Sequence, residues 1–425
     1  MSATERGPAA HRLAPVTPRR VVVTGMSAAT ALGFDVEEFW AGLHAGRSGI
    51  RRHPQVPDDS AFPVKIAGLM DDAALATALQ RYDLSDPDRV NQVGLYVAGR
   101  ALEDAGLPTD GQTPQQTDVI FGTGHGNISF TAEAVRAYVE GGYRKLRPTT
   151  VVRIMANRSA NIVSIRYRLT GGAHTICCAC ATASVAFGEA FHRIRFGLAD
   201  RVLVACSDTG VDVTTFAAWN RLGVLSKIPE PERASRPFDK NRDGLVIGEG
   251  GAAFVLESFE HAQERGAKIL AEVMGYGSSS DAKHIVQPDA QGQVKAVQAA
   301  LRSAGLEATD IDYVNAHATG TELADVVEAE SLRQSLGAHA AVVPVSNTKA
   351  QLGHLMGATA GVELVATILA MNRGVIPPCR NLDEPDPRCP LNFVRHEPLQ
   401  RPIRYALKNS FAFGGTNSVV VLGRA

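Results

Sequence analysis

The stretch ALEDAGL at residues 101–107 recurs as ALRSAGL at residues 300–306. Each copy is followed within about a dozen residues by an Asp-led apolar run, the order expected of a helix, a loop and a strand. A second pair keeps the same order, because ATASV at residues 181–185 returns as ATAGV at residues 358–362. Short alanine-rich matches also arise by chance, so two interpretations stay open: coincidence, or a duplication whose halves meet near residue 270. A duplication places the site where the two halves face each other.

The segments around these repeats have the periodicity of alternating strands and helices. Short β-branched and apolar runs predict buried strands at residues 20–25, 119–122, 201–205, 252–256 and 418–422. Apolar residues at helical spacing predict helices at residues 93–104, 184–197, 294–303 and 362–372. Such alternation favours an α/β layered fold with buried sheets.

The composition excludes several classes of function. In 425 residues, Lys and Arg total 43 against 44 Asp and Glu, so the net charge of -1 provides no overall field for nucleic acid or an anionic membrane. The sequence contains no apolar run of the ~18–20 residues that a spanning helix needs. Residues 1–19 lack the apolar core of a secretory signal and predict a disordered polar tail, so we expect a cytoplasmic protein. Six cysteines, three of them within residues 177–180, do not indicate a disulfide framework.

The cysteine cluster CCACATA at residues 177–183 opens a helical pattern. A thiol at a helix N-terminus lies beside unpaired backbone N–H groups, which favour the thiolate, and Cys180 is best placed for this. The alternative is that these cysteines are buried and inert, which we favour for Cys177 and Cys178. A redox or zinc pair of Cys177 and Cys180 is disfavoured because no second pair stands at metal spacing.

Three further motifs carry polar groups that could complete a site. VNAHATGT at residues 314–321 places His317 at the end of a predicted strand, where a histidine can face a cleft. SNTKAQLGHLMGA at residues 346–358 carries Lys349 and His354 before a helix of small residues. NSFAFGGTN at residues 409–417 offers two adjacent glycines, free backbone N–H groups and a pair of phenylalanines. Taken singly, these are also compatible with a structural histidine, a surface lysine and a tight turn.

In this order and spacing, the motifs resemble the β-ketoacyl-acyl-carrier-protein synthases of the thiolase-like superfamily, in particular the elongating type with a Cys-His-His site. The resemblance runs from about Arg20 to the C-terminus and includes RPFDKNRDG at residues 236–244 and GEG at 248–250. It implies a five-layered α-β-α-β-α fold of two duplicated halves, residues 20–270 with the nucleophile and residues 271–425 with both histidines.

The resemblance also implies roles for individual residues. Cys180 accepts the acyl chain, while His317 and His354 bind the malonyl thioester carbonyl and assist decarboxylation. Lys349 pairs with Glu328, and the two neutralise each other if buried. Phe413 acts as a gate, and its backbone N–H and that of Cys180 form the oxyanion hole. The implied substrate-binding residues are Thr319, Thr321, Phe411, Gly414, Gly415 and His125.

The partners follow from the same resemblance. The chain needs no resident cofactor and no metal, because phosphopantetheine arrives on an acyl carrier protein. Carriers of these systems are acidic, so the basic residues Arg144, Lys145 and Arg147 are the expected docking cluster, with a solvated basic turn as the alternative. A homodimer and a heterodimer with a homologous subunit are both open.

Four positions depart from the elongating pattern. Ala412 and Ala183 stand where glycine is usual, and Val286 where a small hydroxyl residue is usual near the pantetheine path. His125, in GTGHG at residues 122–126, replaces an apolar residue that borders the acyl pocket. Because an unpaired buried imidazole costs free energy, this favours an unsaturated or oxygenated chain and makes a type II polyketide pathway an alternative to fatty-acid synthesis.

Two rival functions remain for comparison. A chain-length factor resembles a ketosynthase but lacks the nucleophilic cysteine. A thiolase acting on free coenzyme A carries a second cysteine in the terminal glycine-rich loop, whereas Cys379 and Cys389 precede that loop.

Overall fold

The computed structural model describes residues 17–58 and 62–425. Its strands are β1 (Val21–Ala29), β2 (Ile50–Arg52), β3 (Ile66–Gly68), β4 (Asp118–Gly122), β5 (Ala173–Ile176), β6 (Arg201–Asp208), β7 (Gly250–Ser258), β8 (Ala271–Ser280), β9 (Tyr313–Asn315), β10 (Pro344–Ser346), β11 (Val375–Ile376), β12 (Asn392–Phe393), β13 (Leu399–Gln400), β14 (Tyr405–Phe411) and β15 (Thr416–Gly423).

The helices are α1 (Val36–His44), α2 (Asp72–Arg81), α3 (Arg89–Asp104), α4 (Ile128–Gly141), α5 (Thr150–Ile154), α6 (Arg158–Tyr167), α7 (Thr182–Arg195), α8 (Val213–Leu222), α9 (Pro231–Ala234), α10 (Phe259–Glu264), α11 (Ala290–Ala304), α12 (Glu322–Leu336), α13 (Lys349–Leu352) and α14 (Thr359–Arg373). The predicted strands and helices are confirmed, and each of the four predicted helices begins two to four residues earlier than its apolar pattern. Within the described residues, no helix is both long enough and apolar enough to cross a membrane.

The strand order confirms the internal duplication. Eleven strands form one mixed sheet in the order β12-β10-β9-β14-β15-β8-β1-β7-β6-β4-β5. From the centre, one arm runs β1-β7-β6-β4-β5 and the other runs β8-β15-β14-β9-β10. In both arms the first two pairings are antiparallel and the next two are parallel. The two arms are therefore copies of one five-stranded unit.

The five predicted layers are present, but the two β layers are the arms of one continuous sheet and not two separate sheets. Helices α7 and α14 pack against each other between the arms, α3 covers the outer face of the first arm, and α11 covers the outer face of the second. Every residue of α14 from Thr359 to Met371 is buried, as expected of a helix enclosed on all sides. The arms are joined edge to edge because β1 pairs with β8 over Val21–Val23.

The predicted N-terminal tail lies outside the described residues except for residues 17–19. Arg19, counted in that tail, is anchored: its backbone N–H donates to the carbonyl of Arg195 over 2.8 Å, and its guanidinium pairs with Asp200. The chain is therefore attached to the fold from at least Arg19 onward. The division at residue 270 stays a prediction, although β8 begins at Ala271.

Candidate active site

Cys180 lies in a tight turn, Ala179–Ala181, that leads directly into α7. Ala179 holds a left-handed φ of 46°, a conformation that costs a non-glycine residue free energy and is common at functional turns. Cys180 itself is 9% exposed, while Cys177 is exposed and Cys178 is half-buried. All six cysteines are free thiols. The turn thus presents one buried sulfur to the space between the two halves.

The electrostatic expectation for this thiol is wrong. Burial raises the pKa of Cys180 to about 12, although the positive charge of Lys349 and the backbone N–H of Phe413 oppose the increase. Burial is the largest of these effects, because loss of hydration penalises the charged thiolate and not the neutral thiol. In the substrate-free protein Cys180 is therefore a thiol at neutral pH, and it loses its proton only when it reacts.

His317 and His354 come together as predicted, each from a loop of the second half. Their ring centroids are 5.5 Å apart and the rings are nearly perpendicular, at 81°. Nδ1 of His354 lies 2.8 Å from the hydroxyl of Thr359, and its Nε2 is buried without a protein partner. Burial lowers the pKa of both histidines well below the usual range, and the charge of Lys349 acts in the same direction. Both imidazoles are therefore neutral, and the unpartnered Nε2 is available to a substrate.

The expected ion pair between Lys349 and Glu328 is wrong. Lys349 Nζ lies 2.7 Å from Glu363 Oε1 and also donates to the backbone carbonyl of His317. Glu328 instead accepts the backbone N–H groups of His317 and Ala318, over 2.8 and 2.6 Å. Because two backbone donors occupy the Glu328 oxygens, Lys349 pairs with the other buried carboxylate. Both residues still support the site, since they hold the backbone at His317 from opposite sides.

The loop between β14 and β15 carries Phe413 over the sulfur. Gly414 and Gly415 take the left-handed φ values of the turn, 86° and 75°, so Ala412 needs no unusual backbone angle. The Phe413 ring stacks on Trp219 of α8, with centroids 6.3 Å apart and planes at 24°. The alanine at 412 is thus compatible with this closed position, and Trp219 is a contact that the sequence analysis missed.

These side chains line one pocket that opens to solvent, with about 620 Å³ of empty space when its open part is included. It is lined by Cys180, His317, His354, Glu328, Phe411, Phe413 and the pair Thr319 and Thr321, whose hydroxyls are 3.0 Å apart. Val286 and Ala412 are also at its wall, as are Trp219, Asp281 and Gln293, which were not predicted. Gly414 and Gly415 shape the loop rather than the wall.

His125 does not line the pocket that contains Cys180, and its predicted place beside the acyl chain stays a prediction. It faces an apolar pocket between α4 and α8, whose wall includes Ile128, Ala218 and Trp219. Its Nδ1 lies 3.2 Å from Asp208, and although burial opposes it, this hydrogen bond and charge raise the pKa of His125 above its ordinary value. The imidazole is thus not an unpaired polar group. The Trp219 ring, in contact with both His125 and Phe413, separates this pocket from the sulfur.

The remaining predicted residues lie apart from the pocket. Arg144 and Lys145 occupy an exposed turn after α4, and Arg147 follows it, also exposed. Ala183 is buried in α7, where its Cβ approaches the position that a Cβ on Gly361 of α14 would occupy. A side chain at 183 therefore contributes to the contact between the two central helices. Among residues 17–58 and 62–425, no group of three His, Cys, Asp or Glu side chains could hold a metal ion.

Comparisons with known proteins agree with this geometry. Residues 18–262 match the family model for the β-ketoacyl synthase N-terminal domain, and residues 270–383 match that for the C-terminal domain. A 3-oxoacyl-[acyl-carrier-protein] synthase 2 from Coxiella burnetii is 37% identical over 411 residues, covering 96% of this chain and 99% of the relative.

Two solved structures are similar over 96% of this chain and all of their own. The ishigamide ketosynthase/chain length factor matches with a TM-score of 0.88 and 34% identity. A type II polyketide ketosynthase, solved with its acyl carrier protein and bound to the hexaketide, matches with a TM-score of 0.89 and 28% identity. The chain therefore belongs to the β-ketoacyl synthase family and is a condensing enzyme of the acyltransferase class.

Proposed function

We propose that this chain is a 3-oxoacyl-acyl-carrier-protein synthase that elongates an acyl chain held on Cys180. The observation that carries the proposal is that the buried Cys180 sulfur, the backbone N–H of Phe413 and the two neutral imidazoles share one pocket. Preorganised N–H donors stabilise an oxyanion by about 3–4 kcal/mol each, which is the scale needed for a thioester intermediate.

In the first half-reaction the Cys180 sulfur attacks the acyl thioester on the carrier. The new carbon–sulfur bond forms as the bond to the pantetheine sulfur breaks, and that leaving sulfur takes up the proton that Cys180 loses. The backbone N–H groups of Cys180 and Phe413 are the donors to the intermediate oxygen. A covalent acyl enzyme divides one difficult encounter into two easier ones and predicts ping-pong kinetics.

In the second half-reaction a malonyl thioester loses CO₂. The bond between its carboxylate and its α-carbon breaks, and the electron pair passes into an enolate whose oxygen is bound by His317 and His354. Nε2 of His354 suits this role because it is buried and has no protein partner. The α-carbon then attacks the acyl carbonyl and Cys180 leaves as the thiolate. Thr319 and Thr321 line the same pocket and are the proposed contacts for the pantetheine arm.

The test is the mass of the protein after incubation with acyl carriers. We expect an acyl adduct on Cys180 and a 3-oxoacyl product once malonyl carrier is added; Cys180→Ala abolishes both. The matched control is Cys177→Ala, which removes an exposed thiol three residues away and leaves both reactions intact. A folded wild-type protein with no adduct would indicate a non-catalytic partner subunit instead, and loading from acyl coenzyme A alone would favour a thiolase.

The acyl carrier protein is the proposed partner, and the cytoplasm is the proposed site of action. The solved polyketide ketosynthase relative was determined in complex with its carrier. In this chain Arg144, Lys145 and Arg147 are an exposed group of three positive charges suited to an acidic carrier.

A second ketosynthase subunit is the proposed assembly partner, and we take it to be a second copy of this chain. Strand β5 ends the first arm of the sheet and is only half-buried. Exposed apolar side chains lie on α4 and α5 of the same half, including Val139 at 77% exposure and Val151 at 67%. Open strand edges and apolar patches of this kind are commonly covered by association. Light scattering at micromolar concentration tests this: a dimer mass is expected, and a monomer that dimerises only with a homologue would indicate a heterodimer.

A further inference from the structure

Lys408 is a buried lysine to which the proposed reaction assigns no role. It lies in β14, four residues before the loop that begins at Ala412 and carries Phe413, and its side chain is completely buried. Fully buried lysines are rare unless a charge partner is present. The partner here is Glu363, whose Oε2 lies 2.9 Å from Lys408 Nζ. The ammonium also donates to the backbone carbonyl of Asn409 and lies 3.3 Å from the hydroxyl of Ser410.

The same carboxylate also holds Lys349. Glu363 thus binds one ammonium with each of its oxygens, Lys349 at 2.7 Å and Lys408 at 2.9 Å. Asn409, the residue after Lys408, donates from its side chain to Glu328 over 3.0 Å. A continuous buried network therefore runs from β14 through α14 and α13 to α12, with two carboxylates and two ammonium groups.

This network lies directly behind the two histidines. Lys349 donates to the His317 carbonyl and Glu328 accepts the His317 N–H, so both touch the backbone of His317 directly. Glu363 follows at one further contact and Lys408 at two. With both lysines the four charges cancel. Without Lys408 two carboxylates would share one ammonium, and a net negative charge would face the place where the enolate forms. Buried charges interact strongly because little water screens them.

We propose that Lys408 is a positioning residue whose ammonium supplies the second positive charge opposite the carboxylates of Glu363 and Glu328. With these charges balanced, His317 and His354 stay neutral and face no excess negative charge during decarboxylation. The proposal rests on the proposed function and adds to it a fourth member of the charged network. The surroundings of the two histidines agree with this role. Burial, the charge of Lys349 and the charge of Lys408 all act to lower the pKa of His317 and His354.

The charged groups that face the two imidazoles come from several elements. Lys349 precedes the His354 loop, Lys408 is on β14, Glu328 is on α12 and Glu363 is on α14. The charge of His125 also acts to lower the pKa of His354. Substitution of Lys408 alone leaves the other four in place, so a change in histidine protonation in that variant reports the lysine charge.

The test replaces Lys408 with methionine, which has a similar volume and no charge. In Lys408→Met we expect the acidic limb of the malonyl-carrier decarboxylation profile to move up by about one pH unit, because removal of a positive charge favours the imidazolium. On the acidic limb itself, at a pH below the wild-type midpoint, the decarboxylation kcat is expected to fall roughly tenfold, the equivalent of that shift, with KM for the carrier unchanged. Lys408→Arg retains the charge and should keep the wild-type limb.

A control separates charge from packing. Leu407→Ala removes a fully buried apolar side chain from the adjacent position of the same strand. It should lower the melting temperature while leaving the pH profile in place. If Leu407→Ala moves the acidic limb as Lys408→Met does, or if Lys408→Met does not move it, the proposal is wrong. Should the methionine variant not fold, Lys408→Gln makes the same comparison, because it keeps a donor for the Asn409 carbonyl.

A second measurement does not depend on activity. Deuterium uptake at the imidazole Cε1, followed by mass spectrometry of the His317 and His354 peptides across pH, reports the protonation of each ring without substrate. The midpoints should rise in Lys408→Met by about one pH unit. Unmoved midpoints overturn the role of Lys408 even if the enzyme condenses normally, whereas moved midpoints in a protein that takes up no acyl group would overturn only the proposed function.

Discussion

Ala179 and Met356 hold the same left-handed backbone conformation, with φ of 46° and 48°. Each opens a short turn and a central helix, α7 after Ala179 and α14 after Met356. The two turns contact each other where the halves meet. The residue after Ala179 is Cys180, and the residue after Met356 is Gly357. One copy of the duplicated turn thus supplies the sulfur, and the other copy carries a glycine that packs against the backbone of Gly124.

We predict that Gly357→Ala disrupts this contact. An added Cβ would lie 2.4 Å from the backbone nitrogen of Gly124 and 2.8 Å from Asp208, which accepts the N–H groups of both glycines over 2.8 Å. Overpacking of this kind costs about 1–3 kcal/mol. Chemical denaturation should show that loss, together with slower loading of Cys180. An unchanged midpoint and rate would contradict the close packing described here.

Replacement of Trp219 should release the gate. Phe413 stacks on Trp219, so Trp219→Ala removes the contact that holds the ring in place. Because the loop then moves more freely, we expect Cys180 to react several times faster with iodoacetamide. The alkylation rate is measured by peptide mass spectrometry.

The chain offers a matched control for this variant. It has two tryptophans, and the other, Trp40, is buried in α1. Trp40→Phe should leave the alkylation rate unchanged and make Trp219 the sole tryptophan reporter of loop motion. Equal alkylation rates in wild type and Trp219→Ala would show that the stack does not restrict access.

Lys349 should control the acidity of the nucleophile. Its positive charge lowers the pKa of Cys180 against the effect of burial, so Lys349→Met raises that pKa further and slows alkylation at pH 9. In the wild type, alkylation should still increase between pH 9 and 10, since burial holds the pKa at about 12. Lys295→Met, at an exposed position on α11, is the control. A plateau below pH 9 in the wild type would refute the burial argument.

His125 should make stability depend on pH. Asp208 raises the folded-state pKa of His125, so its stabilising contribution is complete below the unfolded pKa of ~6.5 and is lost as pH rises through the folded value. The loss of unfolding free energy in His125→Ile should therefore be larger at pH 6 than at pH 8. A pH-independent difference between the two proteins would contradict the His125–Asp208 pair.

The same variant tests acyl selectivity. His125→Ile makes the pocket between α4 and α8 wholly apolar at this position. In competition between acyl carriers, we expect a larger share of saturated chains on Cys180 than in the wild type. Unchanged selectivity would separate this pocket from chain recognition.

The basic cluster of Arg144, Lys145 and Arg147 should affect binding of the carrier protein and not the rate of the chemical step. Arg144→Glu with Arg147→Glu is expected to raise KM for the carrier roughly tenfold, with a weaker dependence on salt and an unchanged kcat. Arg302→Glu, on the exposed face of α11, should leave KM near its wild-type value. If Arg302→Glu raises KM as much as the double variant does, the cluster is a solvated basic turn with no specific role in docking.

The sequence predicted the residues that face the pocket better than those behind it. Cys180, His317, His354 and Phe413 stand next to glycines and small residues, where local patterns are informative. Glu363 and Lys408 escaped because an ion pair between residues 45 positions apart leaves no local trace. One signal was available: Glu363 is the sole charged residue from Thr359 to Met371, a span with the composition of an enclosed helix.

Strand β8 was missed for a different reason. It contains Gly275, Gly277 and a run of serines instead of β-branched residues. A Cβ at Gly277 would lie 2.2 Å from the carbonyl of Ala296, so these glycines allow α11 to pack against the strand. Close packing of helix on sheet removed the apolar pattern by which strands are recognised.

The edge-to-edge pairing of β1 with β8 limits how substrates reach the sulfur. Shared backbone hydrogen bonds and the α7–α14 contact fix the two copies as a single rigid frame. Separation of the two halves would break both the β1–β8 hydrogen bonds and the α7–α14 contact. Entry of the acyl and malonyl groups is therefore expected to depend on the short segment around Phe413. We therefore expect turnover to depend on a handful of residues at one entrance, and not on movement of the two halves.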